Sequence, residues 1–518
     1  MTDPALEHPL TALARQQPDK PAVVLAPSGA TLTYAELDER SSRLCRVLEA
    51  RGIVPGDHLA LIMENRLAYA EVGWACRRYG ISCVPVNWHL SADEAAYIVD
   101  DSDARAVIVS GTLGELAGDL RARDLPKVDV WLCTGDVEGY ERYDEAVAAV
   151  DGSPYPGDGR GAPMFYSSGT TGRPKGIQHP PADLVAASRM GALRPLPSPD
   201  RDSVYLVPGP LYHAAPYATS MNSVAVGATL VVMERFDALE TLRAIERWRV
   251  TGGQFVPTHF VRMLKLPEEV RSGIDVSSLR FAIHAAAPCP VEVKHRMMGW
   301  WGPILWEYYS ATEAIGQTTI SPEEWLQKPG SVGRANGCTI HVLDDDGREL
   351  PPGEHGTTWF EGGWPTAYHK APEKTAASRN EKGWRTTGDI GYLDEDGYLF
   401  LTDRRDFMIV SGGVNIYPQE AEDVLTMHPA VADVAVFGVP DAEMGEAVKA
   451  AVQVAEGYDA SPALAQELIA YCRDRLAHYK CPRSIDFVDE MPRLASGKLA
   501  KRVLRDPYWQ EHGASRIV

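Results

Sequence analysis

The sequence lacks any hydrophobic run that could cross a membrane. Its longest apolar runs include residues 229–233 and 434–439, whereas a spanning helix needs about 20 predominantly apolar residues. The first ten residues, MTDPALEHPL, also lack the basic and apolar segments of a secretory signal. We therefore expect neither a transmembrane segment nor a secretory signal.

Cysteine pairs that would indicate a zinc site or a disulfide framework are also absent. The eight cysteines are scattered along the chain, and no two of them form a Cys-x-x-Cys pattern. Cysteine usage of this kind is typical of a reducing compartment. We therefore expect a cytoplasmic protein.

Positive charge is in deficit, with 51 Lys and Arg against 71 Asp and Glu and a formal net charge of −20. Because nucleic acid is bound by clustered positive charge, this balance argues against nucleic acid as a partner. It still allows a local anion site built from backbone N–H groups. The 45% hydrophobic residues are ordinary for a globular protein, and 518 residues predict roughly two to four domain-sized units.

Short apolar segments alternate with helical patterns in the first 310 residues. This alternation predicts βαβ units and mostly parallel sheets, hence an α/β protein. Residues 33–51 have helical spacing, and Thr33 and Glu36 form a capping-box pattern at its start. Further helices are predicted at 66–79 and 92–101. The predicted strands are residues 58–63, 83–86, 106–109, 128–133, 203–207, 229–233, 280–284 and 304–308.

Residues 330–402 differ in character, because turn dipeptides such as Asp346-Gly347 and Asp396-Gly397 separate short strands. This pattern predicts a small β-meander or barrel. A mixture of strands and helices restarts at residue 404. The sequence therefore predicts a boundary near 403–407.

The strongest local signal is the segment 166–176, YSSGTTGRPKG. Its three glycines allow tight turns in which backbone N–H groups converge on one anion. Four hydroxyl residues and Lys175 add donors and a positive charge, as a polyphosphate requires. The spacing is not Walker A, because no Ser or Thr follows Lys175 and Pro174 breaks the helix start. A flexible loop without a ligand is the alternative interpretation.

This loop resembles the phosphate-binding loop of the AMP-forming acyl-CoA synthetase superfamily, which also contains peptide-synthetase adenylation domains and beetle luciferases. Further segments resemble motifs of that superfamily in the same order, so the resemblance covers essentially the whole chain. These segments are WEYYSATE at 306–313, TGD at 387–389, DRRD at 403–406 with SGG at 411–413, and PRLASGK at 492–498.

The resemblance implies a large N-terminal layered α/β domain at 1–404, with a small β-subdomain at 330–402, and a small mobile C-terminal α+β domain at 405–518. It implies a reaction in two halves. A carboxylate attacks Mg·ATP to give acyl-AMP and pyrophosphate, and the thiol of CoA then releases AMP. ATP, Mg²⁺ and CoA are the implied cofactors, and Asp406 is the implied hinge for a rotation between the two halves.

By the same resemblance, Tyr309 stacks on adenine, Thr312 binds the α-phosphate and Glu313 helps to hold Mg²⁺. Asp389 corresponds to the ribose ligand and Arg404 to its partner. The other residues implied to bind the nucleotide or CoA are Ser167, Ser168, Gly169, Thr170, Thr171, Gly172, Lys175, Ala286, Ala287, Pro288, Glu307, Tyr308, Gly412, Gly413, Tyr479 and Arg483.

The expected catalytic set consists of Lys498, Thr170, Lys175 and Glu313. Lys498 is implied to neutralise charge on the reacting carboxylate and the α-phosphate. Without the resemblance, Lys498 would be interpreted as a surface lysine of a basic tail, and Asp406 as one charge of a solvated run. Tyr479 and Arg483 fit a helix-end surface cluster equally well.

The segment 207–217, VPGPLYHAAPY, resembles the stretch that walls the acyl pocket, and it implies Tyr212, His213 and Tyr217 as pocket residues. His213 alone could equally be a packed core histidine. No aspartate lies between Leu206 and Asn222, where amino-acid-activating relatives carry one. This absence argues against an α-amino acid substrate.

Two departures from the family pattern bear on the acid. Tyr308 and Ser310 flank the stacking tyrosine where many relatives have glycine, and Trp306 adds another ring. Bulkier residues at these positions would shorten or bend a straight acyl tunnel. We therefore expect a medium-chain or bulky cyclic acid, aromatic or polycyclic. A milder departure is the stretch Ala-Ala-Ala-Pro at 285–288, which corresponds to a Gly-Gly-Ala-Pro type of stretch in the family.

The sequence therefore predicts an ATP-dependent carboxylic acid–CoA ligase that acts through acyl-AMP on a small-molecule acid, with a homodimer as an allowed assembly. Three alternatives stay open: an acyl-AMP ligase that loads a carrier protein, a luciferase-like enzyme, and a non-catalytic nucleotide-binding protein. The joint presence of Lys498, Glu313 and Asp389 argues against the last of these.

Overall fold

Two largely parallel β-sheets, separated by a pair of helices, form the centre of the molecule. The computed structural model describes residues 8–157, 161–167, 174–178, 196–364, 366–404, 407–493 and 499–511. Helices Tyr34–Ala50 and Leu67–Tyr79 share one buried apolar cluster with side chains of both sheets. Other helices cover the outer faces, so the layers alternate helix, sheet, helix, sheet, helix.

In the first sheet, every neighbouring pair of described strands is parallel. Helix Tyr34–Ala50 begins with the predicted capping box of Thr33 and Glu36. Helices Ala92–Asp101 and Gly114–Arg121 pack on the outer face of this sheet. The strands, in sheet order, are Ser82–Val86, His58–Ile62, Ala104–Ser110, Val130–Thr134 and Glu141–Arg142.

The second sheet is parallel in its middle and antiparallel at both ends. The sequence did not predict its strand Gly252–Phe255, because paired glycines are more typical of turns. A Cβ atom on Gly252 would lie only 2.4 Å from Cζ of Phe281, so the close packing here requires glycine. The strands, in order, are Arg334–Ala335, Gln317–Ile320, Leu305–Ser310, Phe281–His284, Gly252–Phe255, Val204–Val207, Thr229–Val232, Pro21–Leu25 and Thr31–Thr33.

Antiparallel sheets make up the strand-rich part predicted at 330–402. A small additional sheet pairs Ala367–Tyr368 with the hairpin of Met164–Ser167 and Lys175–Gln178. The larger antiparallel sheet has its own buried cluster around Phe360 and Leu399. Its strands are Cys338–Leu343, Gly356–Gly362, Asp389–Leu393 and Leu399–Arg404.

The C-terminal part builds a further sheet with separate apolar clusters. It touches the larger part where Lys265 Nζ donates a hydrogen bond to the backbone carbonyl of Val431. Met427 also packs against the outer cluster of the second sheet. The domain boundary at 404/405 stays a prediction. The strands are Val414–Ile416, Ile409–Ser411, Gly445–Val454, Val431–Asp441 and Ser484–Phe487.

The layered α/β class predicted from the sequence is confirmed. Among the described residues, none of the helices combines the length and the apolar character that a membrane span requires. The helices not yet named are Pro9–Gln16, Gly111–Leu113 (3₁₀), Tyr143–Ala148, Ala214–Ala225, Ala238–Trp248, Pro257–Leu264, Glu268–Ser272, Val291–Trp301, Pro322–Gln327, Pro372–Ala377, Pro418–Thr426, Pro462–Arg473, His478–Lys480 (3₁₀) and Lys501–Glu511.

A carboxyl group in helix Pro418–Thr426 makes the stability of the C-terminal part depend on pH. Burial raises the pKa of Asp423 from 3.8 to about 7, and the neighbouring carboxylate of Glu422 adds to the rise. Glu422 is itself paired with Lys501, with 2.7 Å between Oε1 and Nζ. The Asp423 carboxyl accepts a hydrogen bond from Nε2 of Gln419 at 2.7 Å.

In the parent protein, deprotonation of Asp423 should lower stability as the pH rises. We expect Asp423→Asn, which cannot ionise, to lack this decrease in stability. Because the folded pKa lies above the unfolded value, the parent gains stability from this proton below pH 3.8 and loses it by about pH 7. The melting temperature of the variant minus that of the parent should therefore increase between about pH 4 and 7 and level off above. The exposed Asp459→Asn is the control, and an equally flat difference for both variants would contradict the prediction.

Candidate active site

The carboxyl ends of the central parallel strands meet at one edge of the second sheet. Ligands of open α/β sheets bind at such an edge. The strands Val204–Val207, Gly252–Phe255, Phe281–His284 and Leu305–Ser310 run in the same direction and end there. The segments that follow these strands carry eight of the predicted site residues: Tyr212, His213, Tyr217, Ala286, Ala287, Pro288, Thr312 and Glu313.

The predicted phosphate loop connects the two strands of a hairpin. Ser167, the last residue of the first strand, pairs in register with Lys175, the first residue of the second strand. The hairpin therefore holds both ends of the loop together. The predictions for Ser168, Gly169, Thr170, Thr171 and Gly172 lie outside the described residues.

Glu313 lies beside the ends of this loop. The hydroxyl of Tyr368 donates a hydrogen bond to Oε1 of Glu313 at 3.0 Å, and Oγ of Ser167 lies 3.5 Å from the same oxygen. The hydroxyl of Thr366 donates to the backbone carbonyl of Glu313. Nη1 of Arg385 donates in turn to Thr366 Oγ1 at 3.2 Å. Glu313 is therefore held by residues from separate segments of the chain.

A second lysine, which the sequence did not single out, lies in the same place. Nζ of Lys374 is 5.1 Å from the centre of the Tyr368 ring, whose hydroxyl bonds Glu313. Burial, together with the neighbouring Lys175, lowers the pKa of Lys374 to about 8. Two lysines and one carboxylate thus converge beside the loop, and this arrangement suits a polyphosphate accompanied by a cation.

Tyr309 and Asp389, predicted to bind adenine and ribose, are in direct contact. The hydroxyl of Tyr309 donates a hydrogen bond to Oδ2 of Asp389, and Thr387 Oγ1 donates to the same oxygen at 2.7 Å. Oγ1 of Thr358 holds the backbone carbonyl of Asp389 at 3.0 Å. An aromatic ring and a carboxylate are therefore presented side by side.

Asp389 is the first residue of the strand Asp389–Leu393. In this sheet it lies opposite Arg404 in the antiparallel register, so the two residues predicted to act together are cross-strand neighbours. The side chain of Arg404 is not among the described ones, and its contact with ribose stays a prediction. Thr312 lies in the turn that directly precedes Glu313.

The stretch 285–288 follows the strand Phe281–His284 at the same edge, and Ala286, Ala287 and Pro288 are exposed there. Ala286 has a φ angle of 76°, in the left-handed region that favours glycine. An alanine in this conformation costs roughly 1–2 kcal/mol. Strained residues of this kind cluster at functional sites, so the position agrees with the predicted approach of a nucleotide.

A buried charged cluster includes His284, the residue that directly precedes this stretch. Oε2 of Glu307 is 2.7 Å from Nζ of Lys294, and both side chains are buried. Nε2 of His284 lies 3.4 Å from the same oxygen, and burial lowers the pKa of His284 so that it stays neutral. The carboxylate of Glu307, predicted to bind the nucleotide, is thus held by Lys294, and we interpret it as a support for the stretch 285–288.

Alternation along the strand Leu305–Ser310 separates two sets of predicted residues. Successive side chains point to opposite faces of a sheet. Trp306 and Tyr308 pack against the cluster between the two parallel sheets. Tyr309 instead packs beside Phe360 of the antiparallel sheet, with 6.0 Å between the ring centres. The predicted acyl and adenine residues therefore occupy opposite faces of one strand.

The other predicted pocket residues lie at the start of helix Ala214–Ala225. The rings of Tyr212 and His213 are 4.5 Å apart, and His213 directly precedes the helix. The ring of Tyr217 meets Phe165 edge-on at 5.7 Å and belongs to the same cluster that Trp306 and Tyr308 contact. Tyr217, Trp306 and Tyr308 therefore belong to the same apolar cluster between the two sheets.

Ser310 and Tyr308 each make a hydrogen bond. Oγ of Ser310 donates to the backbone carbonyl of Gly316 at 2.8 Å. The hydroxyl oxygen of Tyr308 accepts a hydrogen bond from Nε2 of Gln254 at 3.0 Å. Gln254 is a residue of this face that the sequence analysis missed, since its strand was not predicted.

The predicted CoA-binding residues lie in the C-terminal part. Gly412 and Gly413 form the turn between Ile409–Ser411 and Val414–Ile416, with φ angles of 57° and 79°. A two-residue hairpin turn of this kind needs positive φ at both positions, which explains the paired glycines.

Tyr479 is 56% exposed, and Nη1 of Arg483 lies 3.2 Å from Oδ2 of Asp441. Their contacts with CoA stay predictions. The predictions for Lys498 and Asp406 lie outside the described residues.

Two family models match this chain. The family described as AMP-binding enzyme matches residues 10–366, and the AMP-binding enzyme C-terminal domain matches residues 420–498. The chain is 34% identical to the long-chain-fatty-acid–CoA ligase FadD13 of Mycobacterium tuberculosis, over 92% of this chain and 93% of that protein.

It is 33% identical to a 2-succinylbenzoate–CoA ligase of Bacillus licheniformis, over 96% of this chain and 100% of that protein. Among solved structures, the o-succinylbenzoate CoA synthetase MenE of Bacillus subtilis, in complex with its acyl-adenylate intermediate, superposes with a TM-score of 0.79 at 30% identity. That superposition covers 96% of this chain and 98% of the other. These similarities extend over both parts of the chain.

We expect Asp389→Asn to weaken ATP binding about 10- to 150-fold. The variant keeps the shape of the side chain but removes the charge, and a hydrogen bond to a charged group contributes about 1.5–3 kcal/mol. Equilibrium titration with ATP gives the dissociation constant. Asp346→Asn, in an exposed turn, is the matched control, and an unchanged dissociation constant for Asp389→Asn would contradict the ribose assignment.

Proposed function

The chain belongs to the AMP-binding enzyme family as an acid–CoA ligase, and we propose that it converts a bulky cyclic carboxylic acid into an acyl-AMP and then into an acyl-CoA. The contact between Tyr309 and Asp389 carries this proposal, because it sets a ring and a carboxylate together as adenosine requires. The named activities of the two CoA ligases and the acyl-adenylate bound in MenE support it.

The adenosine part of ATP would lie at the edge formed by Tyr309, Asp389 and the exposed stretch 285–288. The ring of Tyr309 offers a flat face for the base. The carboxylate of Asp389 can accept hydrogen bonds from the two ribose hydroxyls. The hydrogen bond from Thr387 Oγ1 helps to orient this carboxylate.

The polyphosphate would lie between the hairpin loop and Glu313. Lys175 and Lys374 supply positive charge there, and hydroxyl groups surround the carboxylate of Glu313. In the described ranges no group of three or more His, Cys, Asp or Glu is arranged to hold a metal. Mg²⁺ that is shared with phosphates needs only one or two protein carboxylates, so Glu313 fits this role. When bound, Mg²⁺ would neutralise phosphate charge.

The first half-reaction forms a bond between a carboxylate oxygen of the acid and the α-phosphorus of ATP, and the bond to pyrophosphate breaks. In the second half, the sulfur of CoA bonds to the acyl carbon, the carbon–oxygen bond to AMP breaks, and the thiol proton is released. No residue of the chain needs to form a covalent bond. The protein contributes positioning and charge neutralisation.

The acid would occupy the face of the strand Leu305–Ser310 that carries Trp306 and Tyr308. The aromatic rings of these residues and of Tyr217 suit a cyclic acid. Tyr308 stands where a glycine would leave room for a longer chain, so a medium-chain acid is the other substrate class that fits this wall.

The C-terminal part would exchange Lys498 for the glycine turn 412–413 between the two half-reactions, with Asp406 as the hinge. Its separate apolar clusters support a part that can move as a unit. A cytoplasmic location and a homodimer stay predictions from the sequence.

A panel of carboxylic acids tests the function directly. We expect pyrophosphate release that requires ATP, Mg²⁺ and an acid, and acyl-CoA formation when CoA is added. Cyclic acids should be activated faster than straight long-chain acids, because Trp306 and Tyr308 place bulky rings on the proposed acid face. Pyrophosphate release without any acyl-CoA would instead favour an enzyme that loads a carrier protein.

Lys498→Ala should separate the two halves of the reaction. We expect a loss of about 10²–10³ in the rate of adenylation, since one electrostatic contact to the developing charge is removed. Supplied acyl-AMP and CoA should still give thioester at close to the parental rate. Single-turnover assays measure each half separately.

Asp406→Pro, which stiffens the hinge, should show the opposite pattern, with acyl-AMP formed and thioester formation slowed. The surface variant Lys127→Ala should leave both halves unchanged. Equal losses in both halves for Lys498→Ala would contradict the proposed exchange of the two segments.

A further inference from the structure

Gln254 is a buried polar residue in an apolar and aromatic wall. Its side chain is only 5% exposed. In the sheet register Gln254 lies opposite Ile283, and Ile283 lies opposite Trp306. Because residues in register share a face, Gln254 belongs to the face that carries Trp306 and Tyr308. This is the face of the proposed acid site.

Of the two polar atoms of the Gln254 amide, the nitrogen has a hydrogen-bond partner among the described residues and the oxygen has none. Nε2 donates a hydrogen bond to the hydroxyl oxygen of Tyr308 at 3.0 Å. Oε1 is buried and has no hydrogen-bond partner among the described residues. Buried polar atoms in proteins are nearly always paired, so an acceptor without a partner beside a binding site indicates a partner that arrives with the ligand.

The height of Gln254 along the strands indicates which part of the bound acid its amide would contact. The reacting carboxylate has to lie near Tyr309 and Thr312, at the carboxyl end of the strand. Trp306 lies three residues before Tyr309, about 10 Å deeper at the rise of a β-strand. Gln254 is level with Trp306. The amide therefore faces the end of the acid that is remote from the carboxylate.

We infer that Gln254 and Tyr308 form a polar floor that recognises a hydroxyl group on the ring of the acid. Such a group can donate a hydrogen bond to Oε1 of Gln254 and accept one from the hydroxyl of Tyr308, so both buried groups are satisfied. The aromatic surroundings favour a ring as the carrier of this hydroxyl. The inference rests on the proposed function, and it narrows the substrate class to hydroxylated aromatic acids.

The parent enzyme should discriminate against acids that lack the hydroxyl. An unsubstituted ring leaves the buried oxygen unpaired, and a site built for a hydrogen bond rejects such analogues. We expect a preference of about 5- to 150-fold in kcat/KM for the hydroxylated acid, which corresponds to about 1–3 kcal/mol at about 1.4 kcal/mol per tenfold.

The test compares 4-hydroxycinnamate, cinnamate and 4-methoxycinnamate in pyrophosphate release, because the cinnamate chain lets the ring substituent reach deep into the site. The methoxy group accepts but cannot donate, so it should not replace the hydroxyl. Gln254→Met preserves volume and removes both polar atoms, and it should bring the ratio of hydroxylated to unsubstituted acid close to one. Tyr308→Phe should reduce the ratio in part, and the exposed Gln327→Met should leave it at the parental value.

Binding of the matching acyl-sulfamoyl adenosines, measured by calorimetry, gives the same comparison without turnover. A parental ratio near one, a preference for the methoxy acid, or a ratio that Gln254→Met does not change would overturn the inference. Because the readouts are pyrophosphate release and binding, failure to form acyl-CoA would count against the proposed function alone. If Gln254→Met does not fold, the parental ratios and Tyr308→Phe decide the question.

Discussion

The hydrogen bond from Tyr309 to Asp389 joins two sheets that have separate apolar clusters, and the nucleotide site depends on this junction. Tyr309 belongs to the second, mostly parallel sheet, whereas Asp389 starts a strand of the antiparallel sheet. The packing of Tyr309 beside Phe360 strengthens the same junction. A ligand that stacks on the ring and bonds the carboxylate would therefore bind well only when the two sheets keep this relative position.

Behind this junction, the buried pair of Lys294 and Glu307 fixes helix Val291–Trp301 against the strand that carries Tyr309. Removing one partner of such a pair leaves a buried charge and typically costs about 3–5 kcal/mol, although the pair as a whole is weak evidence for stability. The location of the Lys294–Glu307 pair tells more about the site than its contribution to the free energy of unfolding. The pair lies beside His284, which directly precedes the stretch 285–288 that contains the positive φ angle of Ala286. A rigid neighbourhood allows a strained residue such as Ala286 to persist at this predicted nucleotide site.

Features that depend on local pattern could be predicted from the sequence, and features that depend on register could not. The alternating α/β order and the capping box of Thr33 and Glu36 were confirmed. Both could be predicted because they depend on residues that are close together in the sequence. The contiguous motifs also predicted that Tyr309, Glu313 and Asp389 share one site, and the structure shows Tyr309 and Asp389 in direct contact. Lys374 was missed because its place beside Lys175 depends on the pairing of Ala367–Tyr368 with Lys175–Gln178. For Glu307, the sequence showed a carboxylate in a motif, and only the fold shows that it faces Lys294.

Because the strand Gly252–Phe255 was not predicted from the sequence, Gln254 was not recognised as a candidate residue of the acid site. The glycines of this strand resemble a turn in the sequence, yet Gly252 is required because the ring of Phe281 occupies the space of a Cβ atom. This close packing sets the strand in register with its neighbour, and the register places Gln254 level with Trp306. Because Tyr308 and Tyr309 face opposite sides of their strand, a polar group on the Tyr308 side would alter the proposed acid site without touching the predicted adenosine contact of Tyr309. The fold therefore places the predicted adenine contact of Tyr309 and the proposed acid contact of Tyr308 on opposite faces of one strand, although the two residues are adjacent in the sequence.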